Sequence, residues 1–186
     1  MVYDKEALAA LVKENALKFG DFTLASGKKA HYYLDCRKVT LDGRGAHLIG
    51  HGILDLLQDE MPDAVGGMAI GADPMTGAVI TASAERGAPI RGFIVRKEAK
   101  DHGTGQDVEG PVHEGDRVII VEDTVTTGGS ALKAVDKAIA HGLQVVGIVA
   151  LIDRLEGGAE AFAARGLHLR TLLTVRDLGV EPVAAT

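Results

Sequence analysis

Residues 118–130 read VIIVEDTVTTGGS, and this stretch decides the fold. Four aliphatic residues in a row, Val118, Ile119, Ile120 and Val121, leave no polar side. A strand over 118–121 must therefore be covered on both faces, as strands of a parallel sheet between two helix layers are. Glu122 and Asp123 follow, then Thr124, Val125, Thr126, Thr127, Gly128, Gly129 and Ser130, after which apolar residues recur at helical spacing. A strand that passes into a helix through such a turn is half of a βαβ unit. Ligands in these sheets bind beyond the carboxyl ends of the strands.

The rest of the chain repeats that alternation. Strands are expected over 64–70, 90–95, 118–121, 145–152 and 167–175, and helices over 76–86, 130–141 and 158–165. Ahead of them, an amphipathic helix is expected from an N-cap at Asp4 to just before Gly20, with Leu8, Leu11 and Val12 on one side. Extended pieces at 21–24 and 31–35 bracket the turn-rich Ser26-Gly27-Lys28-Lys29, and Ala46, Ile49, Ile53, Leu56 and Leu57 mark a helix over 43–57. The strand ends point to the segments after Ile70, Val95, Val121 and Ile152 as the ligand-facing edge.

Two segments carry chemistry. Carboxylates such as Glu122 and Asp123 beside a strand end accept hydrogen bonds from neighbouring sugar hydroxyls. Glycines after them let the backbone come close, and unpaired amides at a helix start, joined by Thr and Ser hydroxyls, suit a phosphate dianion. A capped, solvated turn would explain Gly-Gly-Ser alone; the paired acids favour a sugar phosphate. No Walker loop is present, and Gly103-Thr104-Gly105 does not complete GxGxxG because position 108 is Val. The second segment is the long connection beginning RKEAKDHGTG at Arg96, with cations at Arg96, Lys97, Lys100 and His102 and glycines that permit closure over an anion.

Composition limits the alternatives. At 186 residues, with 46% hydrophobic and 25% charged residues, one globular domain is expected rather than a disordered or fibrous chain. A net charge of −6 argues against a large nucleic-acid footprint. A single cysteine, Cys36, permits no intrachain disulfide and fits a reducing cytoplasm. No export signal and no apolar run of membrane-spanning length is seen. His47 and His51 lie four apart on a predicted helix, without a third metal ligand in view.

Three separated segments resemble the type I phosphoribosyltransferases, and among them the orotate phosphoribosyltransferases. VIIVEDTVTTGGSA resembles their phosphoribosyl diphosphate (PRPP) signature, RKEAKDHGTG their catalytic loop, and Phe22-Thr23-Leu24 with Ser26-Gly27, then Tyr32-Tyr33 and Asp35, their N-terminal motif. The likeness spans about 22–154. It implies a type I phosphoribosyltransferase fold of the α/β class, a central mostly parallel sheet flanked by helices. A single domain over 1–186 would comprise N-terminal helices and a hood (1–60), a core sheet (61–175) and a long flexible catalytic loop.

The implied reaction moves ribose 5-phosphate from PRPP to orotate, giving orotidine 5-phosphate and pyrophosphate in UMP biosynthesis. Glu122 and Asp123 would bind the ribose hydroxyls, and Thr124, Val125, Thr126, Thr127, Gly128, Gly129 and Ser130 the rest of the donor's sugar phosphate. Arg96, Lys97, Lys100 and His102 would hold pyrophosphate, with Lys100, His102 and Asp123 catalytic. Thr126, Arg154, Tyr32 and Tyr33 would meet orotate. Mg²⁺ would arrive with PRPP and reach Glu122 and Asp123 through water. The resemblance further implies a cytoplasmic homodimer with shared active sites, without nucleic-acid or membrane partners. Transfer to another nucleobase and a non-catalytic nucleotide-binding regulator are the alternatives. Two cations common in these enzymes are missing, at Ala25 and Thr76; Lys28 or Lys29 is the expected substitute for the first.

Overall fold

The computed structural model describes residues 3–23, 29–98 and 107–182. Helix α1 (Lys5–Asn15) starts at Asp4, whose carboxylate accepts from the Ala7 amide at 2.9 Å. The expected continuation to residue 19 does not occur. Leu17, Lys18 and Phe19 instead open strand β1 (Leu17–Thr23), pairing with Leu34, Tyr33 and Tyr32 of the antiparallel strand β2 (Lys29–Leu34). Cross-strand pairing overrides local helical spacing here. A short helix α2 (Arg37–Thr40) leads to α3 (Gly43–Leu57), where the Asp42 carboxylate accepts from the Arg44 and Gly45 amides.

The main sheet follows: β3 (Ala64–Met68), α4 (Asp73–Glu85), β4 (Arg91–Val95), β5 (Val108–Glu109), β6 (Arg117–Val125), α5 (Gly129–Ala140), β7 (Gln144–Asp153), α6 (Gly158–Ala163) and β8 (Leu169–Thr174), closed by a 3₁₀ turn at Val175–Leu178. Strand order is β5-β4-β3-β6-β7-β8. All pairs are parallel except β4 with the two-residue edge strand β5, which the apolar pattern was too short to reveal. From β3 the chain moves outward to β4 and β5, then returns to the other side of β3 as β6. That reversal opens a crevice between the carboxyl ends of β3 and β6.

Strand β6 explains its own composition. Ile119 and Val121 enter the core beneath α1, α3 and α4, whereas Val118 and Ile120 enter the one beneath α5 and α6. The strand does not stop at Val121. It runs four residues further because β7 supplies partners, with Glu122 opposite Ala150, Thr124 opposite Ile152 and Val125 opposite Asp153. Both acids therefore lie on a hydrogen-bonded strand rather than in a turn. Helix α4 starts three residues earlier than expected, with Pro74 in its first turn, where a missing N–H costs no helical bond.

Candidate active site

The turn from β6 into α5 has the geometry of an anion cradle. Its N-cap, Gly128, sits at φ +82°, and no side chain caps the helix, so Ser130 and Thr127 do not consume the first amides. A Cβ on Gly128 would lie 2.7 Å from the ring of Phe162, which is fully buried. Glycine is thus required twice over, by backbone sign and by space. A tight notch of about 30 Å³ opens here, lined by Glu122, Thr124, Thr126, Gly129 and Ser130. Val125 turns its side chain into the core and is buried.

A larger cleft of about 360 Å³ adjoins this notch, bounded by Tyr33, Arg37, Gly71, Lys97, Asp123 and Arg154. Thr124 lines both spaces. The two adjacent acids meet different neighbours: Glu122 lies on the Ser130 side, while Asp123 stands against Gly71, where an added Cβ would fall 3.2 Å from the carboxylate. The β3 turn thus approaches β6 closely at Gly71, and a side chain there would crowd the Asp123 carboxylate. Burial, and then the Asp123 charge, pushes the Glu122 carboxyl up to about 7. Burial raises Asp123 as well, opposed by its own hydrogen bonds and by the nearby Arg37 guanidinium. Glu122 Oε2 is buried with no hydrogen-bond partner. Such an arrangement favours hydroxyl donors or a hydrated cation over an empty pair of charges.

Arg154 closes the cleft from the end of β7. Its Nε donates to the Tyr32 hydroxyl at 2.7 Å, its guanidinium carbon lies 4.7 Å from the Tyr32 ring centroid, and Nη2 pairs with Glu156 at 2.8 Å. Asp153, the other nearby acid, accepts from the Leu155 amide instead. Tyr32 is buried and orients Arg154, whereas Tyr33 is partly exposed and lines the cleft. Thr126 lines the notch; the threonine that faces the cleft is Thr124, near the end of β6, whose hydroxyl lies 3.2 Å from the Cys36 sulfur. Burial pushes that thiol up to about 12, so it stays protonated.

Beyond the end of β4, Arg96 pairs with Glu109 at 2.9 Å, and Lys97, which has no ion pair among the described residues, borders three adjoining cavities. Lys100 and His102 lie outside the described residues. So do Ala25 and Lys28. Thr76 is buried on α4 against Gly92 and leaves the cleft without a cation from that helix. The cation that sequence reasoning missed is Arg37, which grips Asp35 through Nε at 2.8 Å and lines the cleft facing Asp123. Its only signal was a position two residues beyond Asp35. His51 is engaged by Arg86, which donates to Nδ1, and no group of three metal-ligating side chains occurs among the described residues.

A family model described as phosphoribosyl transferase domain matches residues 44–163. The chain is 57% identical to the orotate phosphoribosyltransferase of Rhodopirellula baltica over 185 residues, 96% of each chain. The chain belongs to the orotate phosphoribosyltransferase family. Its fold superimposes on Mycobacterium tuberculosis orotate phosphoribosyltransferase crystallised with Fe(III) dicitrate at a TM-score of 0.86 and 44% identity, covering 95% of this chain and 99% of that one. The same M. tuberculosis enzyme in complex with PRPP gives 0.82 and 40%, with the same coverage. Members of the orotate phosphoribosyltransferase family thus share the fold described here, including the helix-covered parallel sheet that the residue pattern predicted. Among the described residues, no helix is long and apolar enough to cross a membrane.

Proposed function

We infer that the protein transfers the 5-phosphoribosyl group of PRPP to orotate, releasing pyrophosphate and forming orotidine 5-phosphate in UMP biosynthesis. The observation that carries this reading is Arg154, a guanidinium fixed by Tyr32 and Glu156 at the cleft next to the cradle. A fixed cation suits an acceptor that bears a carboxylate, and an uncharged base does not require one. The PRPP complex of the M. tuberculosis relative supports PRPP as donor.

In this reading the 5-phosphate sits on the amides and hydroxyls of Thr126, Thr127, Gly128, Gly129 and Ser130, and Glu122 and Asp123 accept from the ribose hydroxyls. Breaking the C1–O bond sends its electron pair to pyrophosphate and leaves positive charge on the sugar. The carboxylates steady that charge, Arg96 and Lys97 receive the leaving group, and the orotate nitrogen forms the new bond to C1 as its N–H proton passes to solvent, balancing the proton taken up by pyrophosphate. Lys100 and His102 complete the pyrophosphate contacts and protonate it on departure. The unpartnered Glu122 oxygen and the crowded acid pair fit a hydrated Mg²⁺, which would supply charge neutralisation of the diphosphate. The whole chain acts as one unit of hood and core. It works as a cytoplasmic homodimer in which the 96–107 connection serves a shared site.

The test is a spectrophotometric assay with PRPP, Mg²⁺ and orotate, run beside adenine, hypoxanthine and uracil. Loss of orotate absorbance with no turnover of the other bases is expected; turnover of another base without orotate consumption overturns the acceptor assignment.

A further inference from the structure

Lys137 lies on α5, eight residues and about two turns beyond the start of the helix that carries the cradle. It reaches across to the connection that follows β4. Its ammonium donates to the carbonyl oxygens of Arg96 (2.8 Å) and Lys97 (3.1 Å) and to the Asp107 carboxylate (2.8 Å). Every N–H of the ammonium is used. Two acceptors belong to the outgoing stem of the connection and the third to the returning stem. The Arg96 amide joins the same two stems by donating to the Asp107 carbonyl at 2.8 Å.

The segment tied in this way carries Lys97, the side chain that borders the cleft and the two neighbouring cavities. An apolar residue at 137 would fill the space but leave two stem carbonyls and one carboxylate without their shared donor. Solvent reaches the pair, with 24% of the Lys137 side chain and 39% of that of Asp107 exposed, so the contact adds little to global stability. Its effect falls on where the stems lie relative to the cradle.

We propose that Lys137 is a positioning residue for the leaving group, setting Lys97 and Arg96 at the pyrophosphate side of the cleft at a fixed distance from the phosphate cradle on its own helix. This rests on the reading of Arg96 and Lys97 as pyrophosphate ligands. The experiment compares Lys137→Met, Asp107→Asn, their double variant and Lys97→Ala in the full-length protein. Inhibition by pyrophosphate and by ribose 5-phosphate is measured separately, alongside melting temperature.

Lys137→Met weakens pyrophosphate inhibition and kcat/KM for PRPP by roughly 10-fold, while ribose 5-phosphate inhibition stays within about twofold and the protein still melts cooperatively. Asp107→Asn does less, and the double variant is no worse than Lys137→Met, because both substitutions break one shared contact. Unchanged pyrophosphate inhibition in Lys137→Met, with Lys97→Ala impaired, overturns the positioning role. Equal weakening of both inhibitors also overturns it, since Lys137 would then only support α5. Normal pyrophosphate inhibition in Lys97→Ala instead overturns the reading of Lys97 on which the proposal rests.

Discussion

The cradle at the start of α5 and the Arg154 side of the cleft lie within one crevice but are built in opposite ways. The cradle comes from a single run of chain, the end of β6 through the first turn of α5, held by one glycine conformation against Phe162. The acceptor side joins Tyr32 of the two-stranded hairpin to Arg154 of the main sheet, 122 residues apart. A local design places backbone amides by covalent geometry, whereas the long-range one depends on docking of separate elements. On the proposed function, the first would hold the donor's phosphate and the second the acceptor.

Substitution in the cradle breaks this contrast most sharply. Gly128→Ala forces a non-glycine residue to φ +82° with its Cβ against a buried ring, so the turn must shift as a unit. A fall of roughly 100-fold in kcat/KM for PRPP is expected, about the effect of removing an oxyanion donor, with a lower melting temperature. Wild-type kinetics in Gly128→Ala would show that the turn is not rigid. Next comes Arg154→Ala, which removes a charge-assisted contact of about 2 kcal/mol and raises the KM for orotate roughly 30-fold. KM for PRPP should hardly change. If instead both KM values rise together, the two regions are one coupled unit and the contrast fails.

The third effect is on stability and concerns the carboxylate at their border. Burial and the Asp123 charge push the Glu122 carboxyl up to about 7 in the folded protein, against 4.5 for a solvated glutamate, so folding favours its protonated form. Its contribution to stability is complete below about pH 4.5 and is lost as pH rises through 7. Glu122→Gln escapes that loss. Melting curves should coincide near pH 4 and diverge by pH 8, with the variant more stable by about 3 kcal/mol, or roughly 10 °C. A gap that is constant across this range would locate the buried charge elsewhere.

The same local and long-range distinction governs what the sequence revealed. VIIV announced a doubly covered strand because hydrophobicity is read residue by residue, and the Gly-Gly-Ser turn announced its helix. The strand's extension through Glu122 to Val125 was hidden because pairing with β7, not polarity, decides it. Strand pairing likewise took Leu17 to Phe19 from the first helix. Within the site, the acids, the cradle, Lys97 and Arg154 were legible as residue types in a pattern. Arg37 and Lys137 were not, since each acts through a partner that only folding brings near: Asp123 for one, the Arg96 and Lys97 carbonyls for the other.

The buried thiol at the floor of the cleft has a practical consequence. Cys36 is the chain's only cysteine and is both shielded and held in its unreactive form. Maleimide and iodoacetamide reagents will therefore find the native protein silent. A cysteine introduced on the 96–107 connection would become the sole point of attachment for a fluorophore or spin label. The surroundings of that label can then be monitored during turnover without first stripping the protein of a background residue that contacts Thr124.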